Sequence, residues 1–285
     1  MKRIRIQNTQ NIVTHKYGIF MPGTLSNSML RISLFFLLPT MTACGSTEKK
    51  SPVVAEALQN KSAESKTIGG ITTPKGFTRI TSEAGSFAAW LRTVPLKKDK
   101  AVYLYNGKLK PNQSAQFAVI DIPTGKKDLQ QCADVVMRLR AEYLFSQKKY
   151  ADISFMDYNG KWYRWQGRDS RPLFDNYLET VFGWCGSASL EKQLKPVTDI
   201  NNIKIGDVFV QGGFPGHAVI VADMAVNRQG KKVYMLVQGY QPAQDMHVLV
   251  NPRNGDLSPW YEADDADETI TTPEWTFLKS HLRYW

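Results

Sequence analysis

The apolar positions along the chain change period several times, and each change predicts an element. Residues 76–80 (GFTRI) alternate and predict an extended segment, and residues 86–91 (SFAAWL) a short helical piece. Residues 101–105 (AVYLY) predict a strand closed by the Asn106-Gly107 turn signal, and residues 116–122 (QFAVIDI) predict another. The strongest helical pattern runs over residues 128–147. Leu129, Cys132, Val136, Leu139 and Tyr143 recur at helical spacing, Asp128 stands at the start, and Arg138 and Glu142 are four apart. Residues 151–165 alternate around Asn159-Gly160, a β-hairpin signal. Residues 168–171 read as a loop, and a helix is predicted from Leu173 towards Phe182.

The stretch from Gly183 to Gly239 holds the densest candidate chemistry. Cys185 precedes small residues and a helical pattern reaching Leu194. Residues 205–210 (IGDVFV) predict a strand, residues 217–221 (HAVIV) a second strand opened by a histidine among glycines, and residues 233–238 (VYMLVQ) a third that ends in Gln238. A thiol at a helix start is expected to be favoured as thiolate by backbone N–H groups, which also suit an oxyanion. An imidazole with an ordinary pKa near ~6.5 suits proton exchange near neutrality. The expected constellation is therefore Cys185 as nucleophile and His217 as base, with Gln238 or, second, Asp223 fixing the imidazole tautomer. Gln211 is a candidate for the oxyanion, and Trp184, Tyr240 and Gln244 for substrate binding. His247 opens an apolar run and reads as a structural strand histidine.

The beginning of the chain reads as an address. Residues 32–38 (ISLFFLL) are apolar but too short to span a bilayer, and small residues follow up to Cys44. Residues 45–68 are rich in Ser, Lys, Glu and Ala and read as a flexible tether, leaving residues 69–285 as one folded domain. The net charge is +10, but residues 1–44 hold five basic side chains and no acid, so +5 belongs to everything after Cys44. That excess is spread thinly, without the Lys/Arg cluster a nucleic-acid surface needs. Cys132, at a helical apolar position, reads as a buried structural cysteine, which leaves Cys185 as a free thiol. The spacing of Cys and His predicts no metal site, and no cofactor is expected.

Three resemblances extend this reading. The run ending at Cys44 resembles a bacterial lipoprotein signal, with Met21 or Met29 as alternative starts and Met29 giving the more compact signal. It implies acylation of Cys44, a membrane anchor and, with Gly45 following, a place on the outer membrane facing the periplasm. GSFAAWLR (residues 85–92), LQQCAD (129–134), RLRAEYL (138–144) and GGFPGHA (212–218) resemble a bacterial family known as domain of unknown function 4846. Third, the order Cys185, Gly206-Asp207, His217 and Gln238 is similar to papain-like NlpC/P60 and CHAP cysteine peptidases and amidases. This implies an α+β fold with an antiparallel sheet, packed helices and a papain-like core at about residues 173–250. It also implies cleavage of an amide in peptidoglycan or a related peptide. Trp184, where that pattern has Asp, and Gln238, where it has His, Asn or an acid, depart from it. The alternative is a non-catalytic envelope lipoprotein that binds glycan or a protein through the same groove.

Overall fold

A computed structural model describes residues 65–264 and 267–285. The signal segment, Cys44 and the tether up to residue 64 lie outside the described residues. Residues 65–68, read as the end of the tether, are packed: Thr67 bridges Pro95 and Ile68 is fully buried.

Four α-helices and thirteen strands are found among the described residues. The helices are α1 (Phe87–Thr93), α2 (Cys132–Ser146), α3 (Arg171–Trp184) and α4 (Ser187–Gln193). The strands are β1 (Phe77–Arg79), β2 (Gln116–Val119), β3 (Ser154–Met156), β4 (Trp162–Arg164), β5 (Lys195–Pro196), β6 (Val208–Gln211) and β7 (His217–Asn227). They continue with β8 (Lys232–Gln238), β9 (His247–Leu249), β10 (Trp260–Ala263), β11 (Thr269–Thr271), β12 (Thr276–Leu278) and β13 (Leu282–Tyr284). The main antiparallel sheet runs β2-β9-β8-β7-β6-β13-β5, with β1 on β7 and β10 on β8. The fold is therefore α+β.

Side-chain alternation divides the sheet into two faces. Val208, Val210, Ala218, Ile220, Met235 and Val237 pack into the core shared with the helices. Phe209, Val219, Val221, Tyr234 and Leu236 pack on the other side, with Phe277 and Ile270 of the β11–β12 hairpin. β7 and β8 run side by side, with Ile220 opposite Val237. Their strongly apolar sequences are what a central strand pair covered on both faces requires.

Three sequence expectations need correction. The helix expected from Asp128 begins at Cys132, with Gln131 as its N-cap. Asp128 is committed elsewhere, since its Oδ1 accepts from the Ala243 N–H at 2.7 Å. The start is set instead by Asp134, whose carboxylate accepts from the Gln131 N–H at 2.9 Å, the return half of a capping box. Cys185 does not open a helix. It is the C-cap of α3, and α4 starts two residues later. The strand expected at residues 101–105 is reduced to single bridges, Tyr103 to Leu109 and Leu104 to Gln244. The hairpin around Asn159-Gly160 forms as β3–β4, with Gly160 supplying the positive φ of its turn.

Candidate thiol site

The helix start at Cys132 changes which thiol is interesting. As the first residue of a fifteen-residue helix, Cys132 stands where free backbone N–H groups and the helix dipole concentrate. The backbone N–H groups of Ala218, Ala133 and Cys132 itself favour its thiolate. Ala218 directly follows His217 on β7. The approach of helix and sheet here depends on Gly239. A Cβ on Gly239 would stand 2.6 Å from Val135 Cγ2 and 3.0 Å from the Gln131 carbonyl oxygen.

Cys185 is placed differently. It is buried, and among the described residues no hydrogen bond joins either cysteine to His217. Burial first, then Asp134 and Asp157, push its thiol up to about 12. Cys132 and Cys185 are both free thiols. Cys132 is half-buried rather than sealed in the core.

His217 lies on the hairpin face of the sheet, 2 % exposed, with its ring 5.0 Å from Tyr240, 5.3 Å from Trp275 and 5.7 Å from Phe277. Its hydrogen-bond partners define its tautomer. His247 Nδ1 lies 2.9 Å from the Asp245 carbonyl oxygen, which only accepts, so Nδ1 carries the His247 proton and Nε2 is bare. Gln238 Nε2 donates to that bare nitrogen at 3.3 Å and to Glu274 Oε2 at 2.8 Å. The Gln238 amide is thereby oriented with Oε1 towards His217 Nε2, 3.0 Å away. His217 therefore donates from Nε2, and its Nδ1 keeps a lone pair with no hydrogen-bond partner among the described residues.

Burial makes the resting pair neutral. It lowers His217 to about 4, against the opposing influences of Gln238 and Glu274 and with a smaller push from Lys110. It raises Cys132 to about 11, helped by Asp134 and opposed by the three N–H groups. At neutral pH the Cys132 thiol thus keeps its proton, and the His217 ring carries only the one on Nε2.

The remaining expected residues divide. Gln238 hydrogen-bonds the His217 ring, whereas Asp223 does not. Asp223 is fully buried six residues further along β7, where Arg79 Nε at 2.7 Å and Arg92 Nε at 2.6 Å occupy its two oxygens. It ties β1 and α1 to the sheet. Gln211 is paired with His217 across β6–β7, and its Oε1 accepts from Trp275 Nε1 at 3.2 Å. Tyr240 sets its ring edge against His217, and its hydroxyl lies 3.3 Å from the Glu274 carbonyl oxygen. Gln244 is buried with an unpartnered Nε2, and Trp184 is exposed at the end of α3. His247, read as a structural strand histidine, lies on β9 against Gln238.

Sequence reasoning read Cys132 as core, and it did not single out Glu274, Trp275 or Lys110, which the fold brings around Gln238 and His217. Lys110 Nζ meets Glu274 Oε2 at 2.6 Å, both side chains being nearly buried. The available signal was the isolated Glu274-Trp275 pair flanked by threonines and Pro273, which suits a turn but names no role.

The family model described as Domain of unknown function (4846) matches residues 69–169 and 161–284. The first stretch contributes Lys110 and Cys132 to the site, and the second contributes His217, Gln238, His247 and Glu274. No curated protein and no solved structure gives a significant match. With its family model covering nearly all of the described residues, the chain belongs to the family described as Domain of unknown function (4846).

Proposed function

We propose that the protein is a thiol hydrolase in which Cys132, in place of Cys185, is the nucleophile, His217 the base and Gln238 the orienter. The observation that supports this reading is the His217 Nδ1 left as an acceptor by Gln238, with the N–H of the adjacent Ala218 acting on the Cys132 thiol at the start of α2. The resting pair is a neutral thiol and a neutral ring, so the chemistry is general-base assisted. As Sγ attacks a carbonyl carbon, its proton passes to His217 Nδ1. The tetrahedral oxyanion is held by N–H groups at the start of α2. His217 then returns the proton to the leaving amine, and the C–N bond breaks to leave a thioester on Cys132. Water attacks the thioester, giving a proton to Nδ1, and that proton returns to sulfur as the acid departs.

The lipoprotein-like segment ending at Cys44 supports an envelope location, and with it an amide of peptidoglycan or a related peptide as substrate. The test is incubation of the purified protein with soluble cell-wall fragments, read by mass spectrometry for new amine and acid ends. Cleavage that Cys132→Ala abolishes and Cys185→Ala retains is expected. Cleavage lost only in Cys185→Ala overturns the assignment. Binding of the fragments without cleavage by wild type favours a non-catalytic envelope protein.

A further inference from the structure

The Lys110–Glu274 pair stands at the far end of the bonds leading to His217. Burying such a pair costs desolvation that its own attraction repays only with good geometry and further hydrogen bonds. Here Glu274 Oε2 accepts from Lys110 Nζ at 2.6 Å and from Gln238 Nε2 at 2.8 Å, while Oε1 accepts from Asn112 Nδ2 at 3.1 Å. The bond to Gln238 carries chemical information. The two ends of a glutamine amide are nearly the same size, so packing alone does not decide which faces His217. A turned-over amide presents its NH2 to His217 Nε2. The ring proton then has to sit on Nδ1, and the free lone pair there is lost.

Two acceptors stand against that flip. One is the bare Nε2 of His247, and the other is the Glu274 carboxylate, which has no proton to give. The carboxylate is the nearer and the more strongly accepting of the two. We propose that Glu274 is a positioning residue: its carboxylate, charge-balanced by Lys110, locks the Gln238 amide and so keeps His217 in the Nε2–H tautomer. Glu274 touches no reacting atom and acts through Gln238. Its place on the turn between β11 and β12 makes that hairpin a working part of the site, since Trp275 and Phe277 of the same hairpin pack on the His217 ring. The inference rests on the reading of His217 Nδ1 as the base for Cys132.

The test uses the full chain labelled with 15N-histidine, in which ring-nitrogen shifts report the tautomer directly. Removing Glu274 alone leaves Lys110 buried and unpaired, so the informative variant is Lys110→Met with Glu274→Met, which replaces both charges by side chains of similar volume. Lys110→Met with Glu274→Gln restores an acceptor for Gln238 without restoring charge. Wild type is expected to show a single Nε2–H form of His217, the Met/Met variant a mixture with Nδ1–H, and the Met/Gln variant a return to Nε2–H. In the Met/Met variant, labelling of Cys132 by iodoacetamide is expected to slow by at least about threefold, as removal of part of a general-base contribution requires. Far-UV circular dichroism and the urea midpoint check that each variant is folded. A folded Met/Met variant with His217 still wholly Nε2–H overturns the proposal, as does Nδ1–H in wild type. If the tautomer shifts and Cys132 labelling does not, the positioning role stands and the thiol–base reading fails.

Discussion

Replacing Asp223 by Ala separates a structural carboxylate from a catalytic orienter. Asp223 has no exposed side-chain surface, and each of its oxygens is met by an arginine Nε, at 2.7 and 2.6 Å. Arg92 also reaches Ser82 Oγ at 2.8 Å and the Ile80 carbonyl oxygen at 2.7 Å, so one carboxylate organises residues 79–92 against β7. Truncation leaves two guanidinium groups without their counter-charge. Breaking a buried pair from one side costs about 3–5 kcal/mol. Arg79 retains 27 % of its side-chain exposure and Arg92 17 %, so water partly re-solvates both. The lower end, about 3 kcal/mol, is expected. For a domain of this size that corresponds to a Tm lower by roughly 6–12 °C. The assay is urea denaturation followed by tryptophan fluorescence, with the slope m compared between proteins to show that the unfolding transition is the same. At urea concentrations where the variant remains folded, iodoacetamide labelling of Cys132 should match wild type. A loss below about 1 kcal/mol refutes the view of Asp223 as a buried anchor for two arginines. A large fall in Cys132 labelling with the fold intact returns Asp223 to the site.

Three further outcomes follow from the geometry. Gly239→Ala should push the start of α2 away from β8, because its new Cβ would stand 2.6 Å from Val135 Cγ2. A stability loss of about 1–3 kcal/mol is expected, together with slower labelling of Cys132, read by urea melts and peptide mapping. Cys185→Ala should cost no more than about 2 kcal/mol as a small core truncation, with Cys132 labelling unchanged; a collapse of labelling contradicts the placement of Cys185 outside the pair. The third concerns pH. Burial lowers His217 and His247 to about 4, so between pH 6.5 and 4 the unfolded chain binds protons at these positions and the folded chain does not. Stability from the two rings is therefore complete above the unfolded pKa and is lost as pH falls, by roughly 1.4 kcal/mol per pH unit for each ring. Asp207, raised to about 6, contributes the opposite slope over part of that range. The informative measurement is thus the difference between wild type and His247→Gln, whose melts should diverge less from pH 7 to pH 5 by about one ring's share.

Much of the fold was legible because strong periodicity reports burial directly. The central strands, the β3–β4 hairpin and the helix over Asp128–Gln147 all appear, with shifted ends. The site was less legible, and the reasons lie in particular residues. Leu129 and Cys132 share a helical spacing with Val136, and this spacing carried the expected helix back to Asp128. The loop before Cys132 is fixed instead by the distant Ala243 N–H, which local pattern does not contain. Four residues of error at that boundary moved Cys132 from the first helical position into the second turn, where it reads as core. His217 and Gln238 could be singled out because both sit at the ends of unmistakable strands, and the fold brings their side chains together at 3.0 Å. Asp223 sits on the same strand as His217, and its role is set by Arg79 and Arg92, more than a hundred residues earlier. Glu274 reaches Gln238 from a short hairpin thirty-six residues later, a pairing that only the folded chain makes.

The most direct test of the Cys132–His217 assignment is the rate of iodoacetamide labelling at each cysteine, mapped by mass spectrometry across pH 5–10, in wild type and His217→Ala. A general base contributes typically 10²–10⁴-fold to the reaction it serves. With a small reagent that bypasses the leaving-group step, loss of His217 should slow Cys132 at least about tenfold near pH 7.5. Cys185 should label slowly and equally in both proteins. Equal Cys132 rates in wild type and variant, or preferential labelling of Cys185 that depends on His217, would contradict the assignment.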